Sequence, residues 1–135
     1  MAPANQMKSL RPVFYTVDFT AVAAGASQQQ IVNITNGGEV IGLTGGAQSL
    51  GVGVDGRLVR VQIRRQTGDG LTASPVMLSA LVGDGALPLA IKHTGGKFPV
   101  GINGTLEVTI FNDTAAVLTR AQVCFWTLTD LIADG

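Results

Sequence analysis

Apolar and polar residues alternate through most of this chain. Near its end, Thr105-Leu106-Glu107-Val108-Thr109-Ile110-Phe111 places Leu106, Val108 and Ile110 on one face and Glu107 and Thr109 on the other. Asn112-Asp113-Thr114 supplies turn chemistry, and Ala121-Gln122-Val123-Cys124-Phe125-Trp126-Thr127-Leu128 follows as a second run. A period of two, with β-branched and aromatic enrichment, predicts two neighbouring strands across that turn.

The same period recurs upstream. In Val13-Phe14-Tyr15-Thr16-Val17-Asp18-Phe19-Thr20, Val13, Tyr15, Val17 and Phe19 line one face. Small residues, Ala23-Ala24-Gly25-Ala26-Ser27, close that strand. Gln28-Gln29-Gln30-Ile31-Val32-Asn33-Ile34-Thr35 predicts another, ended by the turn signal Asn36-Gly37-Gly38. The next stretch is glycine-rich: Glu39-Val40-Ile41-Gly42-Leu43 predicts a short strand, and residues 44–56 a long loop. Arg57-Leu58-Val59-Arg60-Val61-Gln62-Ile63-Arg64-Arg65 is a strand with Val59, Val61 and Ile63 inward and Arg60, Gln62 and Arg64 outward.

Pro75-Val76-Met77-Leu78-Ser79-Ala80-Leu81-Val82 predicts a strand covered on both faces at its centre. Prolines interrupt Leu87-Pro88-Leu89-Ala90-Ile91-Lys92 and Phe98-Pro99-Val100, which are edge pieces at most. Residues 1–12 are polar, contain Pro3 and Pro12 and show no period, so they predict an N-terminal arm ahead of a single domain over 13–135. About seven or eight strands result, and no ten-residue segment has a helical period. Strands with one apolar face must bury it against another sheet. The predicted class is an all-β, two-sheet β-sandwich, and its long uneven connections favour a Greek-key or jelly-roll path over a meander.

Composition adds one point. Apolar residues make up 46% of the 135, which suits a folded core, but charged residues only 13%, about half the usual share. So weakly charged a surface tends to associate, which suggests that partner chains cover much of it. Nine basic residues balance nine acidic ones, so no global field steers the chain toward nucleic acid or membrane. No apolar stretch approaches a membrane span, and the first residues lack a signal-peptide pattern. These features point to a cytoplasmic site of synthesis or assembly.

Candidate chemistry is sparse. Gly51-Val52-Gly53-Val54-Asp55-Gly56 has the spacing of a dinucleotide-binding turn, but a strand follows where such a turn needs a helix. His93 is the only histidine and Cys124 the only cysteine; the first reads as a solvated loop residue, the second as a buried small hydrophobe within a strand. Asp55, Asp69 and Asp84 each precede glycine, the mark of a turn. No calcium-loop spacing occurs, and no cofactor or metal is implied. Arg60 and Arg64 share a strand face and are candidate partner contacts. Without interleaved aromatics they argue for a solvated edge or a subunit contact to acidic residues rather than nucleic acid. Trp126 and Phe14 point away from the apolar faces of their strands, and are candidates for burial in a subunit interface or a second core layer or, in the alternative, a sugar-stacking platform. Asn33-Ile34-Thr35, Asn103-Gly104-Thr105 and Asn112-Asp113-Thr114 match the glycosylation triplet, read here as coincidence.

Taken whole, residues 13–130 resemble small structural proteins of tailed-bacteriophage heads, of the decoration, cement or head-fibre-base kind. The likeness rests on the aromatic first strand with its small-residue turn, the Val59–Ile63 strand running into Thr67-Gly68-Asp69-Gly70, Leu81-Val82-Gly83-Asp84-Gly85 with Leu87-Pro88, and Phe98-Pro99-Val100-Gly101-Ile102-Asn103-Gly104 leading into the final strands. The resemblance implies a jelly-roll-like sandwich, trimeric in many such proteins, bound to the major capsid protein on the virion shell and without enzymatic activity. The chain is short for one with a separate receptor-binding domain, which argues against host recognition. The expected function is therefore a non-enzymatic virion protein that stabilises the head as a homo-oligomer. A carbohydrate-binding sandwich, or a collar, tail or coat subunit, is the alternative.

Overall fold

The computed structural model describes residues 8–66, 70, 72, 74–82, 89–90 and 99–132. Ten strands run through them: β1 (Lys8–Val22), β2 (Ser27–Ile34), β3 (Gly38–Ser49), β4 (Val52–Gly53), β5 (Val59–Arg65), β6 (Val76–Met77), β7 (Leu89–Ala90), β8 (Pro99–Val100), β9 (Gly104–Asn112) and β10 (Leu118–Ile132). A 3-10 turn at Gly56–Leu58 precedes β5, and a five-residue helix, α1 (Leu78–Val82), follows β6. One sheet has the order β1-β10-β3-β4, with β7 and β8 also pairing on β3; the other has the order β2-β9-β5-β6.

The antiparallel pairs are nested: β1 with β10, β2 with β9, β3 with β8. A chain paired in this way is one long hairpin. Rolling it so that successive segments fall in alternate sheets produces a jelly roll, and the architecture is the expected two-sheet all-β sandwich.

The core lies between the sheets. Leu106, Val108 and Ile110 of β9 and Val59, Val61 and Ile63 of β5 are fully buried, and join Phe19, Leu43, Val123 and Phe125 of the other sheet in one cluster. Burying one such side chain contributes about 1.5–3 kcal/mol. Val17 is buried as expected, whereas Val13 and Tyr15 are half-buried near the open side of β1. The Tyr15 hydroxyl accepts a hydrogen bond from the Asn36 backbone N–H, tying β1 to the turn after β2.

Five expectations need correction. β9 and β10 are not paired neighbours: they lie in opposite sheets, and the turn between them carries the chain across the sandwich. The buried Asn112 side chain organises that crossing. Its Nδ2 donates to the carbonyls of Val22 (3.0 Å) and Ala116 (2.8 Å), and its Oδ1 accepts from the Thr114 N–H (2.9 Å) and hydroxyl (2.6 Å). Turn chemistry shows where the chain bends, but which strands then pair is decided by partners remote in sequence.

The predicted loop over 44–56 is largely strand, because β3 continues to Ser49 and then turns back into β4. Glycine lowers strand propensity, yet a Cβ on Gly45 would lie 2.5 Å from the Gln122 carbonyl oxygen, so a glycine there lets β3 close on β10. Residues 75–82 are not one strand: Val76–Met77 pair with β5, and the helix-favouring Leu-Ser-Ala-Leu-Val then forms α1 with Leu78 buried. Lys8–Pro12, assigned to the arm, pair with β10 from Ile132 to Leu128. That pairing is made by the backbone and leaves no mark on side-chain pattern. Cys124 lies on the half-buried outer face of β10, beside Thr16 and Thr44, rather than in the core. The rest of the expected arm, residues 1–7, lies outside the described residues.

Candidate interaction surfaces

Strand alternation fixes what each sheet shows to the outside. On β10 the odd positions from Ala121 to Thr127 are buried, so Gln122, Cys124 and Trp126 face outward. Phe14 is the register partner of Trp126 on β1. The rings meet edge to face, with centroids 5.3 Å apart and planes at 85°. Phe14 is 54% exposed, while Trp126 is half-buried and its indole N–H donates to the Thr44 hydroxyl at 3.2 Å. The structure therefore brings these two sequence candidates together on the outer face. It presents a ring edge and a ring face, not two parallel flat platforms.

Arg60 and Arg64 lie on the outer face of the other sheet, and each meets a carboxylate. Arg60 Nε donates to Asp113 Oδ2 at 2.6 Å, and its guanidinium carbon stands 5.0 Å from the centroid of Phe111, its register partner on β9. Hydrogen bonding holds the Asp113 carboxyl below its ordinary pKa and raises that of Arg60. Arg64 Nε donates to Glu107 Oε2 at 2.9 Å, again directly across the ladder. Arg65 reaches the Pro99 carbonyl. Both candidate arginines are thus neutralised locally, which reduces what they offer a phosphate backbone.

The residue that sequence reasoning missed is Leu50. Leu50 and Gly51 form the two-residue turn between β3 and β4, with φ of 51° and 80°, as a type I′ hairpin requires. Asparagine or glycine fits the first of these positions; a large apolar side chain does not. Leu50 is also 81% exposed and Val52 69%. Val117 adjoins them: Ser49 Oγ donates to its carbonyl at 2.8 Å, and the Leu50 N–H donates to the Thr119 hydroxyl at 3.0 Å. The only sequence signal was a leucine ahead of a glycine within a stretch otherwise poor in large side chains.

The remaining motifs have local explanations. The 51–56 glycine run spans the hairpin and a 3-10 turn and leads into β5 rather than into a helix. Asp55 caps that turn, accepting from the Arg57 N–H at 2.9 Å. The Arg57 side chain, hydrogen-bonded to the same carboxylate, contributes most to lowering its pKa to about 2. Asn112 is buried and fully bonded, so it is closed to glycosylation, while Asn33 and Asn103 are exposed. His93, Asp69 and Asp84 lie outside the described residues, among which no group of three or more His, Cys, Asp or Glu side chains gathers to hold a metal. No protein-family model matches the chain, and a search of curated protein sequences finds no match either.

Proposed function

We propose that this chain is a structural subunit of a phage head: a non-enzymatic decoration or cement protein that binds the major capsid protein, self-associates and stabilises the shell of a virion assembled in the host cytoplasm. One observation carries the reading. Leu50 is held at positive φ and left 81% exposed, together with exposed Val52 and Val117 at the same end of the sandwich. Both features cost free energy in the isolated chain. Contact with another protein surface would offset both. The low charge and the outward Phe14–Trp126 pair support the same reading, and the sequence resemblance supplies the setting.

The test is solution mass by light scattering, then co-sedimentation with phage shells lacking the protein. A defined oligomer, a trimer on the resemblance, that binds the shells supports the proposal. A monomer that leaves the shells bare sinks it. A second reading, a carbohydrate-binding sandwich, is favoured by the aromatic pair on an outer sheet face.

A further inference from the structure

The outer face of the β1 sheet carries a groove beside the aromatic pair. Its volume is about 490 Å³, and its lining includes Thr44, Gly46, Gln48, Gly53, Arg120 and Gln122. That size falls within the roughly 300–1,000 Å³ of small-ligand clefts. Register sets the layout. Arg120, Gln48 and Gly53 form one row across β10, β3 and β4; Gln122 and Gly46 form the next; Thr44 stands in the third and Trp126 in the fourth.

Two glycines make the floor, and the fold requires neither. Gly46 and Gly53 have no left-handed φ, and a Cβ on either would meet nothing within 4 Å. Glycine within a strand weakens it, and often marks close approach of a ligand or another backbone. Gly45, by contrast, is explained by β10 itself.

We infer that this groove binds a neutral saccharide. This rests on the carbohydrate-binding reading and moves its site from the aromatic pair to the groove beside it. The walls offer two planar amides and a guanidinium, whose paired donors and acceptors suit vicinal hydroxyls. Gln122 Nε2 donates to Asp18 Oδ1 at 2.9 Å, which leaves Oε1 as the acceptor its amide can offer a ligand. Asp18 also stands 3.6 Å from Arg120, so the one cation of the groove is balanced and an anion gains little. Trp126, two rows from Gly46, places an apolar surface where the C–H face of a further sugar would lie.

The test is an NMR titration of the whole chain with neutral tetrasaccharides of glucose, mannose, galactose and N-acetylglucosamine, on wild type, Gly46→Val and Phe14→Ala. Amide shifts at 44–48, 53 and 120–122 are expected with at least one of them. Gly46→Val fills open space, so it keeps its melting temperature while weakening binding roughly tenfold or more. Phe14→Ala weakens it less. No shifts at millimolar sugar, or Gly46→Val binding as wild type does, overturns the groove. Binding lost only in Phe14→Ala overturns the groove but leaves the carbohydrate reading standing.

Discussion

Phe14 on β1 and Trp126 on β10 stand directly opposite each other and meet edge to face, 5.3 Å apart, on the outside of the sandwich. A cross-strand aromatic pair contributes about 0.5–1.5 kcal/mol when both rings are covered, and here Phe14 is more than half exposed. Phe14→Ala should cost about 1 kcal/mol or less in urea unfolding and shift Trp126 fluorescence to longer wavelength. A loss of several kcal/mol would show that the ring does core work.

Leu50→Asn separates monomer stability from assembly. Asparagine accepts the left-handed backbone that leucine resists, so the variant should gain up to about 1 kcal/mol as a monomer. Its oligomer should weaken, read as a lower mass by light scattering at equal concentration. Unchanged mass would remove Leu50 from the contact.

Asn112→Ala should lose about 2–4 kcal/mol in thermal unfolding. It deletes four hydrogen bonds at a buried position. A loss below about 1 kcal/mol would mean that water replaces the side chain there.

Two left-handed glycines should respond differently to alanine. Gly25 has φ +71° and open space around its Cβ position, so Gly25→Ala should cost about 1 kcal/mol, the conformational term alone. Gly37 has φ +65°, and its Cβ would fall 2.8 Å from Ile102 N and 2.9 Å from Val100 O, both backbone. Gly37→Ala must move the 100–102 segment and should cost at least about 3 kcal/mol. Equal melting temperatures would refute the close approach.

The acid limb of the stability curve follows from Asp55 and Asp113. Both carboxyls have lowered pKa values in the folded chain, Asp55 about 2, each chiefly through a side-chain hydrogen bond to an arginine. A lowered folded pKa adds stability above the unfolded value near 3.9, and that stability is lost as pH falls through the folded value. Carbon-detected NMR should show Asp55 titrating near 2, and Arg57→Ala should raise that value only part of the way to normal, because the residue 57 backbone N–H still donates to the carboxylate. Both pairs are exposed, so their share of stability is small and falls with salt.

Much of this fold was legible in particular residues. Leu106, Val108 and Ile110, and Val59, Val61 and Ile63, alternate with polar neighbours, and all six are buried. A period of two is a local property, so the strands, their inner faces and the outward placement of Phe14, Trp126, Arg60 and Arg64 followed from sequence alone, and the sandwich from the need to bury one face of each sheet. What sits across each ladder did not follow. Whether Arg64 meets Glu107, whether β9 pairs with β10, and whether a glycine-rich stretch is loop or strand depend on segments tens of residues away, and hydrogen bonds between backbones carry no residue code. Leu50 and the Gly46 floor were hidden for the same reason: exposure and open space belong to the assembled sheets, and no residue type encodes them by itself.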